Sequence, residues 1–411
     1  IFSLIFLIFS LKKYFFSLIY FYFSLKNKTF LCFLVSILLY WLLIVEIMKM
    51  KYLFLFIGLM FLCVACEDPI DRLENNESET NTTLGGGGSG ETQTDTTEGE
   101  EENNGEQEPI NDSVDFDLFV CLNTITNPTD FYMSADWSSD SKSIVYSCAN
   151  RDFKVVDVDS WSVVDTFADV NNIIYDAKFN STKEFIASCG TDSLVKLWST
   201  KGRDCVRTFV GHTGRVNYLD WSPDGRYIAS SSCDSTTRIW DAYSGNCIHV
   251  LTGHTSEVAT PSFSPDGSRL VTCSNDKTLK IWDFNSGTCL QTLNGHTLYP
   301  MDVEWSPDGS RIASVSHENI IKIWDANTGV CILNITGDYV GLSVVSWSPC
   351  GNYLISAAHD FVLRIWDANT GQLVKALSGH NERIMDANFS PNGRYVVSAS
   401  GDHTLKLWGM E

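Results

Sequence analysis

Histidine, serine and aspartate recur in this sequence in an order that could support hydrolysis. In a serine hydrolase the histidine takes the proton of a serine nucleophile and the aspartate orients the histidine. One such set suffices for catalysis, whereas this chain repeats the set at a fixed step. The repetition favours an architectural role over a catalytic one. With one tryptophan per set, the residues are His212, Ser230, Asp234 and Trp240; His254, Thr272, Asp276 and Trp282; and His380, Ser398, Asp402 and Trp408.

The step is 42 residues, and it extends over the second part of the chain. Val156 and Val114 occupy the two positions that precede the tryptophans in the series. Internal repeats of this length indicate a fold built from one supersecondary unit per period. The tryptophans that follow one another without insertion or deletion are Trp198, Trp240, Trp282, Trp324, Trp366 and Trp408.

Each period has the pattern of four short strands, which we name a to d from the inside of the fold outwards. Segments such as Leu279–Trp282 alternate apolar and polar positions with the period of two that a strand requires. Turn sequences separate the strands, for example Ser-Pro-Asp-Gly at 222–225. No helical periodicity appears beyond residue 113, and the sequence therefore predicts an all-β fold.

These features resemble the WD40 repeat, in which Gly-His precedes Trp-Asp, as Gly211-His212 precedes Trp240-Asp241 here. The resemblance covers residues 114–411 and implies a β-propeller with one four-stranded antiparallel sheet per blade. It also implies that the histidine, serine or threonine, aspartate and tryptophan of a repeat form a hydrogen-bonded chain. That chain would tie the loop between strands d and a to strands b and c.

Counting the repeats predicts how the ring closes. Positions of the Trp-Asp type occur seven times between residues 156 and 408, which indicates seven blades. The strand d of the last blade would begin at residue 415, beyond Glu411. One period before the first strand d lies the segment Cys121–Ile125. We predict that this N-terminal strand completes the last blade and covers its open edge.

Several repeats depart from the four-residue pattern. Glu318 stands where the other repeats have aspartate, and Asp338 and Val170 stand where they have histidine. The first blade has Tyr146 and Val156 at the serine and tryptophan positions. We expect this blade to lack the hydrogen-bonded chain.

Five cysteines of the repeat region open a strand d. Equivalent residues of neighbouring blades should lie ~10 Å or more apart, whereas a disulfide needs Cα atoms within ~7 Å. We therefore expect these cysteines to be small buried apolar residues. The remaining cysteines of this region show no Cys-x-x-Cys spacing, so we expect no zinc site, and no cofactor is predicted. The five are Cys121, Cys205, Cys247, Cys289 and Cys331.

In WD40 propellers the d–a loops and b–c turns form a narrow face that is the usual docking surface. The positions three and five residues after Gly-His, and those just before the b–c aspartate, are therefore candidates for binding a protein or peptide. Methionine, tyrosine and arginine are enriched in such interfaces. The candidates are Phe131, Met133, Tyr175, Arg215, Asn217, Glu257, Tyr299, Met301, His317, His359, Arg383 and Met385, with Cys233 and Asn275.

The charge of the chain excludes one class of partner. The formal net charge is −21, of which residues 114–411 carry −12, and a surface so acidic repels phosphate, so we expect no nucleic-acid binding. Much of the charge lies in residues 67–113, where fifteen Asp and Glu face one Arg and large apolar residues are rare. Such a composition predicts disorder, and we interpret residues 66–113 as an acidic tether.

Residues 48–66 resemble a bacterial lipoprotein signal. A basic start at Lys49 and Lys51, the apolar stretch Tyr52–Leu62 and small residues before Cys66 fit a signal peptide over residues 48–65. The resemblance implies acylation of Cys66 and anchoring to a membrane. The alternative is an ordinary apolar leader with an incidental cysteine. We interpret residues 1–47 as spurious upstream sequence, with one or two membrane helices as the alternative.

The sequence thus predicts a monomeric, non-catalytic interaction platform, lipid-anchored at the outer membrane or cell surface. One alternative is an intracellular, cytoplasmic scaffold of a multiprotein complex. Another is a hydrolase that uses the central channel of the ring, although no nucleophile elbow or His-Glu-x-x-His motif supports it.

Overall fold

A computed structural model describes residues 114–127, 130–169, 172–337 and 341–410. These residues form seven four-stranded antiparallel sheets, preceded by one 3₁₀ helix, Phe116–Leu118. In this part of the chain no helix has the length and apolar character needed to cross a membrane. The prediction of an all-β propeller with seven blades is confirmed. The predictions for residues 1–47, 48–65 and 66–113, including acylation of Cys66, lie outside the described residues.

The strands are numbered along the chain, and blades 1 to 6 each contain four consecutive strands. The chain begins with β1 (Phe119–Thr126). Blade 1 comprises β2 (Tyr132–Trp137), β3 (Ser143–Cys148), β4 (Asp152–Asp157) and β5 (Ser162–Ala168), and blade 2 comprises β6 (Ile174–Phe179), β7 (Phe185–Gly190), β8 (Leu194–Ser199) and β9 (Cys205–Val210). Blade 3 comprises β10 (Val216–Trp221), β11 (Tyr227–Ser232), β12 (Thr237–Asp241) and β13 (Cys247–Leu251), and blade 4 comprises β14 (Val258–Phe263), β15 (Arg269–Ser274), β16 (Thr278–Asp283) and β17 (Cys289–Asn294). Blade 5 comprises β18 (Pro300–Trp305), β19 (Arg311–Ser316), β20 (Ile320–Asp325) and β21 (Cys331–Thr336), and blade 6 comprises β22 (Val344–Trp347), β23 (Tyr353–Ala357), β24 (Val362–Asp367) and β25 (Leu373–Ser378). Blade 7 contains β26 (Ile384–Phe389), β27 (Tyr395–Ser400) and β28 (Thr404–Met410).

The ring closes between the two ends of the described chain, as predicted. Strand β1 pairs antiparallel with β28, from Phe119 opposite Met410 to Thr126 opposite Thr404. The sheet of blade 7 therefore has the order β1-β28-β27-β26. Strand β1 takes the place of strand d, and it covers an edge of β28 that would otherwise be open to pairing with another chain.

Polar side chains within each turn explain the repeated turn sequences. In blade 3 the Ser222 hydroxyl accepts the backbone N–H of Tyr227 at 2.8 Å. Gly225, in the same turn, has φ +68°, a conformation that glycine adopts at little cost. In the c–d turn Asp241 Oδ1 accepts the N–H of Ser244 at 2.7 Å. The aspartate of Trp-Asp thus closes the turn after its strand, and Asp283, Asp325 and Asp367 do the same.

The hydrophobic core lies between neighbouring sheets. The cluster between blades 2 and 3 joins Leu197 and Phe209 of one blade to Leu219 and Trp240 of the next. Similar clusters occur around the ring, and the one beside blade 7 includes Phe119 of β1. Each blade therefore depends on its neighbours to bury its faces, as expected of a fold built from repeats.

The prediction that the cysteines opening strand d are buried is wrong. Cys121, Cys205, Cys247 and Cys289 are exposed, and Cys331 is half-buried. Strand d is the outermost strand, and it contributes to the inter-blade core mainly through its fifth residue, such as Phe209 or Leu293. The first residue of the strand lies outside that core. None of the ten cysteines between residues 114 and 410 is disulfide-bonded in the described structure.

Strand direction assigns each loop to one of two faces. Strands a and d meet at the loop that carries Gly-His, so the d–a loops and b–c turns lie at one end of the ring. We call this end the top face; it is the narrow face that the resemblance implies for docking. The a–b and c–d turns lie at the other end, the bottom face. Strand β1 runs as a strand d, so the described chain begins at the bottom face. Phe116 packs there against Tyr353 and Phe389, with ring centroids 4.7 and 6.4 Å apart.

Candidate functional site: the top face and the central channel

The serine, histidine and aspartate side chains form the chain of hydrogen bonds that the resemblance implies. In blade 3, His212 Nδ1 lies 2.9 Å from Asp234 Oδ2, and His212 Nε2 lies 2.8 Å from the Ser230 hydroxyl. Because a carboxylate only accepts, Nδ1 carries the ring proton and Nε2 accepts from the serine. The Trp240 Nε1–H donates to the same hydroxyl at 2.8 Å. The serine oxygen is therefore occupied on both sides.

The protonation states of this chain fit a structural role. Burial lowers the pKa of His212 and outweighs the opposing effect of Asp234, so the ring is neutral at pH 7. Burial alone would raise the pKa of Asp234, but hydrogen bonds from Thr236, from the Thr213 backbone and from His212 lower it to about 2. The aspartate thus joins the d–a loop to the b–c turn.

The same chain occurs in blades 4, 5 and 7. In blade 4 the Thr272 hydroxyl replaces serine and lies 2.8 Å from both His254 Nε2 and Trp282 Nε1. In blade 5 Glu318 substitutes for aspartate without breaking the chain, since its Oε1 lies 2.6 Å from His296 Nδ1. Blade 5 therefore departs from the four-residue pattern in residue type but keeps the hydrogen bond to the histidine.

Blades 2 and 6 replace the histidine contact with an ion pair. Lys196 Nζ lies 2.7 Å from Asp192 in blade 2, and the Arg364 guanidinium contacts both carboxylate oxygens of Asp360 in blade 6. The tryptophan-to-serine bond persists in both blades, at 2.8 Å from Trp198 to Ser188 in blade 2. The sequence held the signal for this replacement, because every repeat has Lys or Arg at this position of strand c.

Blade 1 has aromatic and aliphatic packing where blades 3, 4, 5 and 7 have the polar chain. Tyr146, at the serine position, is buried and packs edge-to-face on Tyr132 with ring centroids 4.9 Å apart. Val156, at the tryptophan position, is also buried. The position corresponding to the histidine, Pro128, lies outside the described residues.

The twelve residues predicted for docking lie on the top face and retain accessible surface. Phe131 and Tyr299 are the most open apolar side chains among them, with 42% and 41% of their surface exposed. The twelve do not form one cluster. Instead, two groups of contacting side chains occupy different sectors of the ring, and partner binding by any of the twelve stays a prediction.

The first group, which we call the Glu257 cluster, spans blades 2 to 4. Arg215 forms an ion pair with Glu257 Oε1 at 3.0 Å, and Asn217 Nδ2 donates to the same oxygen at 2.9 Å. The thiol of Cys233 also donates to this carboxylate, at 2.8 Å. Burial and the proximity of Glu257 raise the pKa of Cys233 to about 11, which makes it a poor nucleophile. Tyr175 lies beside the Arg215 guanidinium, and Asn275 bonds the second oxygen of Glu257.

The second group, the histidine cluster, spans blades 5 to 7. The rings of Tyr299 and His317 have centroids 4.8 Å apart, and those of His317 and His359 are 5.5 Å apart. Burial, followed by the charge of Arg383, lowers the pKa of both histidines. Both rings are therefore neutral at pH 7. Met301 and Met385 stand on the innermost strands of blades 5 and 7, β18 and β26.

A ring of acidic side chains in the channel was missed by the sequence analysis. These residues lie on the strands a, and all of them except Asp136 line a cavity of about 310 Å³. Each accepts a backbone N–H from strand a of the following blade, as Asp176 does from Leu219 at 3.1 Å and Asp386 from Ala135 at 2.9 Å. They thereby satisfy edge amides that have no neighbouring strand. The acids are Asp136, Asp176, Asp220, Asp302, Glu304 and Asp386.

Burial dominates the charge state of this ring. It raises the pKa of Asp386 and of Glu304 to about 8, although hydrogen bonds from backbone amides oppose the shift. Lys178 lies among the acids, and their charges raise its pKa despite its burial. The sequence signal was the recurrence of acids two and four residues into an otherwise apolar strand. That pattern also fits a solvated strand, so only ring closure identifies a channel.

No group of three or more His, Cys, Asp or Glu side chains in the described ranges is arranged to hold a metal ion.

Comparison with known protein families gives a match over more than half of the chain. The family described as WD domain, G-beta repeat matches six segments: residues 161–199, 203–241, 245–283, 287–325, 329–367 and 371–409. Each matched segment contains the strand d of one blade and strands a, b and c of the next. The six matches therefore leave β1 to β4 as the seventh and most divergent copy.

Proposed function

Because this chain belongs to the WD40 family, we propose that it is a non-catalytic platform on which another protein or peptide docks. The observation that carries the proposal is that one set of side chains stabilises the blades while another set remains exposed on the top face. The blade hydrogen bonds use the serine, histidine and aspartate side chains, whereas Phe131 and Tyr299 remain exposed on the same face. Aromatic residues on a rigid surface give contact area at low entropic cost.

The interactions of the candidate nucleophiles argue against hydrolysis. Ser230 donates to His212 and accepts from Trp240, and it is fully buried within the blade. The same holds for Thr272 and Ser398 in their own blades. A substrate carbonyl has no access to these oxygens. The non-catalytic proposal rests on this burial.

We further propose that the platform is exported and anchored through an acylated Cys66. The signal-like residues 48–66, with their basic start, apolar stretch and small residues before Cys66, support this proposal.

A binding experiment with matched variants tests the platform. Full-length protein and the double variant Phe131→Ala plus Tyr299→Ala would be immobilised and exposed to a membrane extract of the native cells. Tyr243→Ala serves as the control, because Tyr243 is 55% exposed but lies in a c–d turn on the bottom face. We expect a retained protein that the double variant loses and the control keeps. Equal retention by all three proteins would contradict docking at the top face.

Metabolic labelling tests the anchor separately. We expect incorporation of radioactive palmitate into the wild-type protein and none into Cys66→Ala. A wild-type protein that is not labelled and remains in the cytoplasmic fraction would favour the intracellular scaffold.

A further inference from the structure

The row of large side chains around the top face has a gap at blade 6, where small residues occupy the corresponding positions. The positions three and five residues after Gly-His hold Arg215 and Asn217 in blade 3 but Gly341 and Ser343 in blade 6. Gly341 has φ +70°, and a Cβ there would lie 2.5 Å from Nδ1 of His359. Glycine at this position therefore lets the imidazole of His359 lie against the backbone.

The side chains around this gap are those of the histidine cluster. His317 lies on the blade 5 side, and Arg383 stands on the blade 7 side, three residues after His380. The b–c turn of blade 7 carries Gly401 where blades 5 and 6 carry His317 and His359. Small residues thus leave Arg383 uncovered on two sides.

The Arg383 guanidinium has no anionic partner among the described residues. Its Nε is buried without a hydrogen bond, and Nε2 of His359 is buried and unbonded as well. Both side chains keep accessible surface elsewhere, so an anion docked on the top face can pair with the guanidinium.

Arg215 shows what pairing at this position looks like. It occupies the same position in blade 3 as Arg383 does in blade 7, yet its charge is neutralised by Glu257 at 3.0 Å. In blade 1, the blade after Arg383, the residue corresponding to Glu257 is Phe131. The two arginines therefore differ in the partner that the neighbouring blade supplies.

We propose that the histidine cluster with Arg383 is the subsite that receives an acidic side chain from an extended segment of the docked protein. The inference rests on the proposed docking function of the top face and names the chemistry of its partner. A carboxylate matches one permanent cation flanked by two neutral imidazoles, and each imidazole can donate one N–H. Tyr299 and Phe131 provide apolar surface on either side for the neighbouring residues of the segment.

A carboxylate fits this site better than a phosphate. Sites for phosphorylated residues use clusters of arginines to balance nearly two negative charges. Here one guanidinium is present, and the pKa of both histidines is lowered by burial and by that guanidinium. The cluster thus offers about one unit of positive charge at neutral pH.

Fluorescence anisotropy with a defined peptide tests the subsite. The probe is a labelled peptide with a run of glutamates, and its twin of equal length has glutamines. We expect the glutamate peptide to bind the full chain, and Arg383→Ala to weaken that binding about tenfold or more, since a charged hydrogen bond contributes about 1.5–3 kcal/mol. Arg226→Ala, which changes an ion-paired arginine in an a–b turn of the bottom face, is the matched control and should change binding less than about twofold, and Arg383→Lys should restore part of it.

The outcomes separate this inference from the docking function. Equal binding of the two peptides, or an unaffected Arg383→Ala, would overturn the subsite, while loss of the natural partner in Phe131→Ala plus Tyr299→Ala would still support docking. Binding of a phosphoserine peptide but not of the glutamate peptide would overturn it in favour of a phosphorylated partner. The measurement is repeated with residues 114–411, which contain every strand of the closed ring. If residues 114–411 bind the glutamate peptide and the full chain does not, the chain's own acidic residues 67–113 occupy the site. That result would overturn the proposal that the site receives a segment of another protein.

Discussion

Replacing Ser230 by alanine removes the oxygen that joins the histidine and the tryptophan of blade 3. The side chain is fully buried, so water cannot replace the hydroxyl. His212 Nε2 loses its donor and the Trp240 indole loses its acceptor, each now at 2.8 Å. A buried polar group left unpaired costs about 1–3 kcal/mol, so two of them cost about 2–6 kcal/mol of unfolding free energy.

Two further variants turn this estimate into a test. Ser188→Ala in blade 2 orphans only Trp198, since the histidine position of that blade is Val170, and should cost about 1–3 kcal/mol. Ser230→Thr should be nearly neutral, because Thr272 makes both bonds at 2.8 Å in the next blade. Urea unfolding followed by tryptophan fluorescence gives the three midpoints. If Ser230→Ala costs no more than Ser188→Ala, or Ser230→Thr costs as much as Ser230→Ala, the chain does not act as a joined unit.

Three other predictions concern the channel, the closure and the thiols. The pKa of Asp386 is raised to about 8 in the folded chain but is about 3.9 when unfolded, so the folded state holds more protons between these values and the contribution of Asp386 to stability should fall as the pH rises from about 4 to about 8. Asp386→Asn should flatten this slope in pH-dependent unfolding, and an unchanged slope would contradict the assignment. Deleting residues 114–126 removes β1 and should cause a lower melting temperature and aggregation in thermal and light-scattering assays, whereas deleting 67–113 should cause neither. In residues 114–411 a thiol reagent should modify the exposed cysteines before unfolding and the buried ones only afterwards, and equal rates would contradict the assigned exposures. The exposed set is Cys121, Cys205, Cys247 and Cys289, and the buried set is Cys148, Cys189 and Cys273.

The ring could be predicted from the sequence because its determinants are local and repeated. A tryptophan every 42 residues fixes the register of strand c, and the turn sequences fix where each strand ends. Once the period is known, the missing strand d has only one candidate, the segment at Cys121. None of these steps required knowledge of which residues touch across the ring.

Properties that arise from assembly could not be predicted in this way. The exposure of Cys205 depends on strand d having no neighbour outside it, and an isolated repeat does not reveal that. The pKa of Asp386 is raised first by burial in the closed ring and then by acids of other blades, including Asp176, which lies 210 residues away in the sequence. A basic residue at this position of every repeat indicated that Lys196 could pair with an acid. That it pairs with Asp192, in place of the histidine contact that blade 2 lacks, is seen only in the structure.

A sequence repeat and a blade do not contain the same four strands, and this offset has a consequence for function. Each matched repeat begins with a strand d and ends with a strand c, so neighbouring blades are joined covalently by every repeat. The top-face residues follow the d–a loops, so they lie inside a sequence repeat and at the junction between two blades. A substitution there changes the surface without disturbing the chain from histidine to tryptophan. The hydrogen-bonded chains of blades 3, 4, 5 and 7 can stay constant. Arg215 and Arg383 occupy equivalent positions in blades 3 and 7 but have different neighbours. A closed ring of equivalent blades thus permits an uneven face, and an uneven face is what selective recognition of one partner requires.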